Sequence, residues 1–348
     1  MDVFQLTRAL VDIESVTNHE APVGEYIFAH LSRLAATTGG RVERCPVAPD
    51  RFNIFARWGE PIVTLSTHMD TVPPFFPSRE DADFIWGRGS ADAKGIIAAM
   101  IVAAEDLLSS GARNLALLFV VGEERNSAGA YAAAKDSRGS HYLINGEPTE
   151  NKLALACKGM LRYEIMARGT LAHSAYPQLG DSAINKLLDA LERIRRLELP
   201  IDSVLGPTTL NIGVISGGRA PNVISDEAKA EISFRVVGDP APLRSAVLAA
   251  AGDRVETREV LFTPAIHFDP MEGFATTIVA FTTDIPSFDG AWGKPFLLGP
   301  GNIHVAHTSE ERVPKLELAE ATRIYQRLVR HLLAVHGNSA AAATVRQP

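Results

Sequence analysis

The sequence predicts an α/β protein: a mostly parallel sheet with helices on both faces, interrupted by an inserted α+β unit of βαββαβ, ferredoxin-like order. Over residues 3–155, short apolar runs alternate with longer helical ones; over 159–262 the order of elements changes; beyond 262 the first style resumes. A length of 348 residues suits two domains of ~150 residues. Hydrophobic residues make up 46% and charged residues 22%, the balance of a globular chain with a sizeable core and not of a disordered or fibrous one.

Taken in order, the opening MDVFQLTRALVDIE sets Asp2, Arg8, Asp12 and Glu14 among its apolar residues. That is the pattern of an amphipathic helix and not of a signal peptide, so a cytoplasmic location is expected. Runs 62–67, 115–121 and 141–145 are apolar at nearly every position and read as parallel strands covered on both faces; 94–108 and 128–135 read as the helices between them. The longest apolar stretches, GIIAAMIVAA and NLALLFVVG, fall short of the roughly 18 residues that span a bilayer. The second style runs strand 160–168, helix 182–197, strands 208–217 and 227–237, helix 240–251, strand 254–262. The first resumes with PFLLGPG and a helix over 318–335. The expected division is therefore a discontinuous domain of residues 1–158 and 263–336, an inserted domain of 159–262, and an aperiodic, flexible tail of 337–348. With 34 Lys+Arg against 41 Asp+Glu the net charge is −7, which offers no positive field to nucleic acid or to anionic lipid. Cys45 and Cys157 form no CxxC, which excludes a disulfide framework and a thiolate zinc knuckle.

Ligands in open α/β sheets gather at the carboxyl ends of the strands, and there the chain places unusual residues. IVTLST runs into His68 and Asp70, LALLFVV into Glu123 and Glu124, HYLIN into Glu147, and FLLGPG leads to His307; Asp92 stands before an Ala-rich helix. Each has an ordinary explanation alone: a loop histidine, a solvated turn, a loop residue before Pro148, a helix N-cap at Asp92. In extended chain, residues two apart face the same way, so Asp70 is placed to accept the second ring N–H of His68. Neighbouring carboxylates at Glu123 and Glu124 repel, a difficulty that cations remove. Asp92, Glu124 and Glu147 with a hydroxide carry −4, which two divalent cations balance, while His68 and His307 add neutral nitrogens. Paired metals activate water and polarise a carbonyl, leaving Glu123 as the base.

The runs STHMDTVPP, WGRGSADAKGIIAAM, VVGEERNSAGA, INGEPT, LAHSAYPQLGDSAI, GGRAPNVISDEAKAEISFRV and GPGNIHVAHTSEERV, in this order, closely resemble the dinuclear zinc hydrolases typified by acetylornithine deacetylase, succinyl-diaminopimelate desuccinylase and carboxypeptidase G. The resemblance covers almost the whole chain. It implies two Zn2+ per subunit, with Co2+ or Mn2+ as substitutes: His68, Asp92 and Glu147 on one, Asp92, Glu124 and His307 on the other, Asp92 bridging. It implies that Asp70 orients His68 and that Glu123 takes a proton from water and returns one to the leaving amine. His307, with Glu311 following, matches the motif histidine in preference to His304. His173 matches an oxyanion-stabilising lid histidine, Asn222 and Arg235 match substrate contacts, and the smaller domain matches a dimerisation module, so a homodimer is expected. SADAKG and HTSEERV depart from the commonest family wording without touching these positions.

The expected function is a two-zinc amidohydrolase that cleaves a small N-acyl amino acid, acetylornithine- or acetyl-lysine-like, into an acid and a free amino acid. The competing substrate readings on the same centre are a desuccinylase and a dipeptidase or carboxypeptidase. Outside catalysis, GRGSADAKG before a helix suggests a phosphate-binding loop, but no G-K-[ST] follows and Asp92 would face the anion. A catalytically silent binding protein on the same fold is the third reading.

Overall fold

The structure, a computed structural model, describes residues 2–344, with side chains through residue 338. The chain divides into two compact units, one of Met1–Ala154, Phe268–Thr277 and Thr283–Pro348, the other of Leu155–His267 and Ile278–Thr282. The divisions thus fall at 154/155 and 267/268, not at 158/159 and 262/263, and the second unit also takes a short return segment.

In the first unit, helix α1 (Val3–Val11) is capped by Asp2, whose carboxylate accepts the Gln5 N–H at 2.8 Å, and buries Val3, Leu6 and Leu10 on one stripe. Helix α2 (Ala21–Thr38) stops at Gly39, which takes the left-handed φ of 77°. Strands β1 (Arg41–Ala48) and β2 (Arg51–Trp58) form an antiparallel hairpin, followed by β3 (Val63–His68), helix α3 (Lys94–Ser109), β4 (Leu115–Val120), helix α4 (Ala128–Ala133) and β5 (Tyr142–Asn145). With the edge strand Lys294–Leu297 they make a six-stranded sheet in the order β1-β2-β4-β3-β5-edge. From β4 to the edge all neighbours are parallel; β2 meets β4 antiparallel.

The alternation of a strand explains the uninterrupted apolar run of β4. Leu115, Leu117 and Phe119 pack into one core with Trp58, α3 and the C-terminal helix Lys315–Thr344, while Ala116, Leu118 and Val120 pack into another with Phe55, Ala130, Phe288 and Trp292. Both faces are therefore dry, and each large side chain so buried contributes ~1.5–3 kcal/mol. The hairpin was not legible in the sequence, because β1 alternates exposed and half-buried residues and carries Arg41, Glu43 and Arg44. The C-terminal helix also overturns an expectation. Residues 337–344, read as flexible tail, continue it to Thr344, since an alanine run lacks apolar periodicity yet has the highest helix propensity. Residues 345–348 of that tail lie outside the described residues.

The second unit runs β6 (Gly159–Arg168), helix α5 (Ala183–Arg195), β7 (Thr209–Gly217), β8 (Glu227–Val236), helix α6 (Ala241–Ala251) and β9 (Glu256–Thr263). Its antiparallel order, β7-β8-β6-β9, is that of the split βαββαβ arrangement. β6 and β8 alternate buried with half-buried residues. Leu161, Tyr163, Ile165, Ile232 and Phe234 face Leu187, Leu191 and Val247 of the helices. The other face carries ion pairs such as Lys229–Glu164 at 2.7 Å.

Candidate metal centre

Three adjacent parallel strands, β4, β3 and β5, end on one edge of the sheet, and each delivers acidic or histidine residues there. His68 is the last residue of β3, Glu123 and Glu124 follow β4 after Gly122, and Glu147 follows β5 after Gly146. Asp92 lies on the segment before α3. It is not the cap of that helix: the cap position is Ala93, which makes no side-chain capping bond.

His68, Asp92 and Glu124 present ligand atoms within 4.8 Å of one another. The His68 Nε2 lies 2.9 Å from Asp92 Oδ1, and the His307 Nε2 lies 3.5 Å from Asp92 Oδ2 and 3.0 Å from Glu124 Oε1. Asp92 thus turns one oxygen to each of two imidazoles. His307 holds a left-handed φ of 64°, a conformation that costs a non-glycine residue ~1 kcal/mol or more and that its loop must enforce. Glu147 is buried, and its Oε1 has no hydrogen-bond partner.

Two buried carboxylates support this arrangement from behind. Asp70 accepts the N–H groups of Gly122 at 2.9 Å, Glu123 at 3.1 Å and Glu124 at 3.3 Å, and the Thr17 hydroxyl at 2.8 Å. It orients His68 chiefly through its main chain: the His68 Nδ1 is 3.0 Å from the Asp70 carbonyl oxygen and 3.6 Å from the carboxylate Oδ1. Asp70 lies beside the ring as the two-residue spacing expects, and its carboxylate is at the same time committed to the 122–124 loop. On the other side, Glu311 accepts the N–H groups of Gly89, Ala91 and Asp92 and pairs with Arg88. Gly146 sits where a Cβ would lie 2.4 Å from Ile96 Cγ2, so only glycine lets β5 lead into Glu147 at this depth.

The electrostatics follow from crowding carboxylates out of water. Burial, with the Glu147 charge, holds the Glu123 carboxyl well above its usual range; burial and the Asp92 charge do the same for Glu147 and raise Glu124. Asp92 runs the other way: the His307 and His68 contacts overcome burial and lower it. Hydrogen bonds to Asp92 and Glu124 raise His307 to about 10, and in His68 the Asp70 and Asp92 carboxylates overcome the opposing effect of burial. Asp284 lies within reach of the same charges, and burial, opposed by Ser127 and His68, pushes it up to about 7.

Of the remaining expected residues, His173, Asn222 and Arg235 belong to the second unit. The short pair Ala172–His173 and Val223–Ile224 brings the first two onto adjacent segments, where the Ser174 N–H donates to the Asn222 carbonyl at 3.0 Å. His173 is exposed, and its Nδ1 accepts the Ala175 N–H at 3.1 Å. Arg235, on β8, is half-buried and reaches Thr282 at 3.5 Å.

The sequence profile of peptidase family M20/M25/M40 matches residues 64–331, which takes in every strand end just described. The chain belongs to this family. A peptidase M20 domain-containing protein of Schizosaccharomyces pombe is 37% identical over 342 residues, covering 95% of this chain and 85% of the relative. A probable carboxypeptidase of Aspergillus oryzae is 37% identical over 372 residues, covering 92% of this chain and 85% of the relative. Among solved structures, a Bacillus subtilis protein described as a dinuclear metal binding peptidase of the M20 family has the same fold, with a TM-score of 0.68, 14% identity, and coverage of 96% of this chain and 98% of that one. This M20 protein is accordingly a hydrolase of peptide or amide bonds in a metal-dependent family. Its residues fit a metal: a hard and borderline donor set of carboxylates and imidazoles, and a buried carboxylate oxygen at Glu147 with nothing to bond. Among the described residues no helix is long and apolar enough to cross a membrane.

Arg88, Glu311 and Asp284 are the residues that reading the sequence did not bring to the site. Arg88 and Glu311 stand inside quoted motifs, but no local pattern pairs residues this far apart. Asp284, in FTTDIPSF, carries no sequence signal that would have found it.

Proposed function

We propose that this M20 hydrolase cleaves the amide bond preceding a C-terminal amino acid, releasing that amino acid from an N-acyl amino acid or a short peptide. The observation that carries the reading is Asp92, with an oxygen toward each of His68 and His307, beside the half-buried Glu124 and the buried Glu147. In this reading His68, Asp92 and Glu147 hold one divalent cation and Asp92, Glu124 and His307 the other, Zn2+ in the native enzyme, with Co2+ or Mn2+ able to replace it. Bound there, the cations supply an activated water and a polarised carbonyl.

Glu123 carries the proton. Its carboxyl follows β4 at the same strand end as Glu124, and in this reading it takes a proton from the attacking water and returns one to the nitrogen of the broken amide as that departs. Asp70 keeps Glu123 and Glu124 in place through their own N–H groups. His173 is the oxyanion donor of this proposal and Asn222 and Arg235 its substrate contacts, Arg235 suited by its planar fork to a carboxylate. The motif matches support these three roles. They also support a homodimer through the second unit, which light scattering of the purified protein tests.

Identity to probable carboxypeptidases over most of the chain favours a substrate with a free α-carboxylate. The test is a panel of acetylornithine, acetyl-lysine, succinyl-diaminopimelate and dipeptides, run on the protein as purified, after chelation, and after Zn2+ is restored. Release of a free amino acid that chelation abolishes and Zn2+ restores is expected. A fully Zn2+-loaded protein that releases an amino acid from no member of the panel refutes the reading.

A further inference from the structure

We propose that Glu311, anchored by Arg88, is a positioning residue that sets the Asp92 carboxylate between the two imidazoles. The proposal deepens the metal-centre reading above and rests on it.

Glu311 and Arg88 are both buried, at 0% and 2% exposure, and Arg88 Nη1 donates to Glu311 Oε2 at 2.6 Å. The remaining Arg88 contacts hold it in place: its Nε donates to the Pro74 carbonyl at 3.2 Å, and its guanidinium lies 5.0 Å from the centre of the Phe76 ring. An antiparallel ribbon, Phe84–Trp86 against Arg312–Pro314, brings the two segments together, with the Gly87 N–H donating to the Glu311 carbonyl at 3.1 Å. The other carboxylate oxygen, Oε1, is where the anchoring acts on Asp92. It accepts three main-chain N–H groups, Gly89 at 2.9 Å, Ala91 at 3.3 Å and Asp92 at 3.2 Å. A bare ion pair needs none of these. Three donors from four consecutive residues, all converging on one oxygen, wrap the loop around it, and the last donor is the main chain of the residue whose side chain faces both histidines. Asp92 is itself 5% exposed and its carboxylate must be directed at two partners on opposite sides, so a small rotation of its backbone removes one contact or the other.

The competing interpretation makes Glu311 only a counter-charge for a buried arginine. Two double variants separate them, because both remove both charges: R88M/E311Q keeps a carbonyl oxygen for the three N–H groups, and R88M/E311A does not. Affinity for Zn2+ alone is measured by competition with a chromophoric chelator, alongside metal-free melting temperature. The expected result is that R88M/E311A binds Zn2+ about 10–100-fold more weakly than R88M/E311Q, the loss typical of an outer support to a metal ligand. Equal affinities in the two variants overturn the proposal. If either variant does not fold, hydrogen exchange of residues 87–93 in the metal-free wild-type protein decides: protected amides at Gly89, Ala91 and Asp92 are expected, and exchange at the rate of an open loop overturns it. Failure of the wild-type protein to bind Zn2+ would instead count against the metal-centre reading, and the exchange measurement does not depend on that reading.

Discussion

Replacing Asp70 by asparagine tests how the loop bearing Glu123 and Glu124 is held. The carboxylate accepts four donors: Gly122 and Glu123 on Oδ1, Glu124 and Thr17 on Oδ2. An asparagine has one acceptor oxygen. Set at the Oδ1 position it keeps the Gly122 and Glu123 bonds, while its NH2 meets the Glu124 N–H and the Thr17 hydroxyl turns to accept. One buried N–H then loses its partner, at ~1–3 kcal/mol, and the two retained bonds fall from charged to neutral strength, about 1 kcal/mol each. Easier desolvation of the neutral amide offsets part of this. The net is ~2–4 kcal/mol, within the total stability of a folded domain, so the variant folds but its metal-free form melts roughly 5–15 °C lower. Zn2+ affinity falls about 10–100-fold, as expected of a lost support behind the ligands. The assays are calorimetry on chelator-treated protein and a chelator competition titration. A variant with weakened Zn2+ binding but an unchanged metal-free melting temperature would refute the reasoning, because it would mean that Asp70 acts on the His68 ring alone and does not hold the loop.

Glu123→Gln should retain both cations by metal analysis and lose at least about 10²-fold in kcat; wild-type turnover would remove Glu123 from the proton path. Metal-free stability should fall as pH rises toward about 7. His307 is raised from 6.5 to about 10, so its contribution is complete below 6.5 and is lost on the way to 10, and the raised carboxyls of Glu311 and Asp284 lose theirs on the way to about 7. Asp70 and Asp92, lowered by their partners, lose stability only in acid. Lys94, which burial lowers from 10.5 to about 7, regains stability over the range in which His307 loses it, so the melting temperature of chelated protein should drop between about pH 5 and pH 7, while the gain on adding Zn2+ grows with pH because the ligands bind it deprotonated; a metal-free profile flat from pH 5 to pH 7 contradicts this. Gly146→Ala places a methyl 2.4 Å from Ile96 Cγ2 and 2.6 Å from Met100 Cε, and should cost ~1–3 kcal/mol and weaken Zn2+ binding by displacing Glu147; unaltered stability would show that α3 yields easily.

Local pattern is as much of this fold as the order of residues encodes directly. The both-sided burial of β4 is written in its unbroken apolar run, the split βαββαβ order of the second unit in alternating strands and amphipathic helices, and the strand ends in the residues that break those runs. His68 and Glu124 stand out at such strand ends, Asp92 ahead of an Ala-rich helix and His307 beyond FLLGPG, and the structure brings the four together. Tertiary structure decided how each is held. Asp70 lies beside His68 as spacing requires, yet its carboxylate serves the main chain of a neighbouring strand's loop, a partner that no spacing within its own strand reveals. Arg88 meets Glu311 across 223 positions because a two-stranded ribbon closes there, and hydrophobic periodicity carries no information at that range. Periodicity reports which face of an element is dry; which distant backbone donor meets a buried carboxylate depends on how the elements pack, and that is settled only when the whole chain has folded.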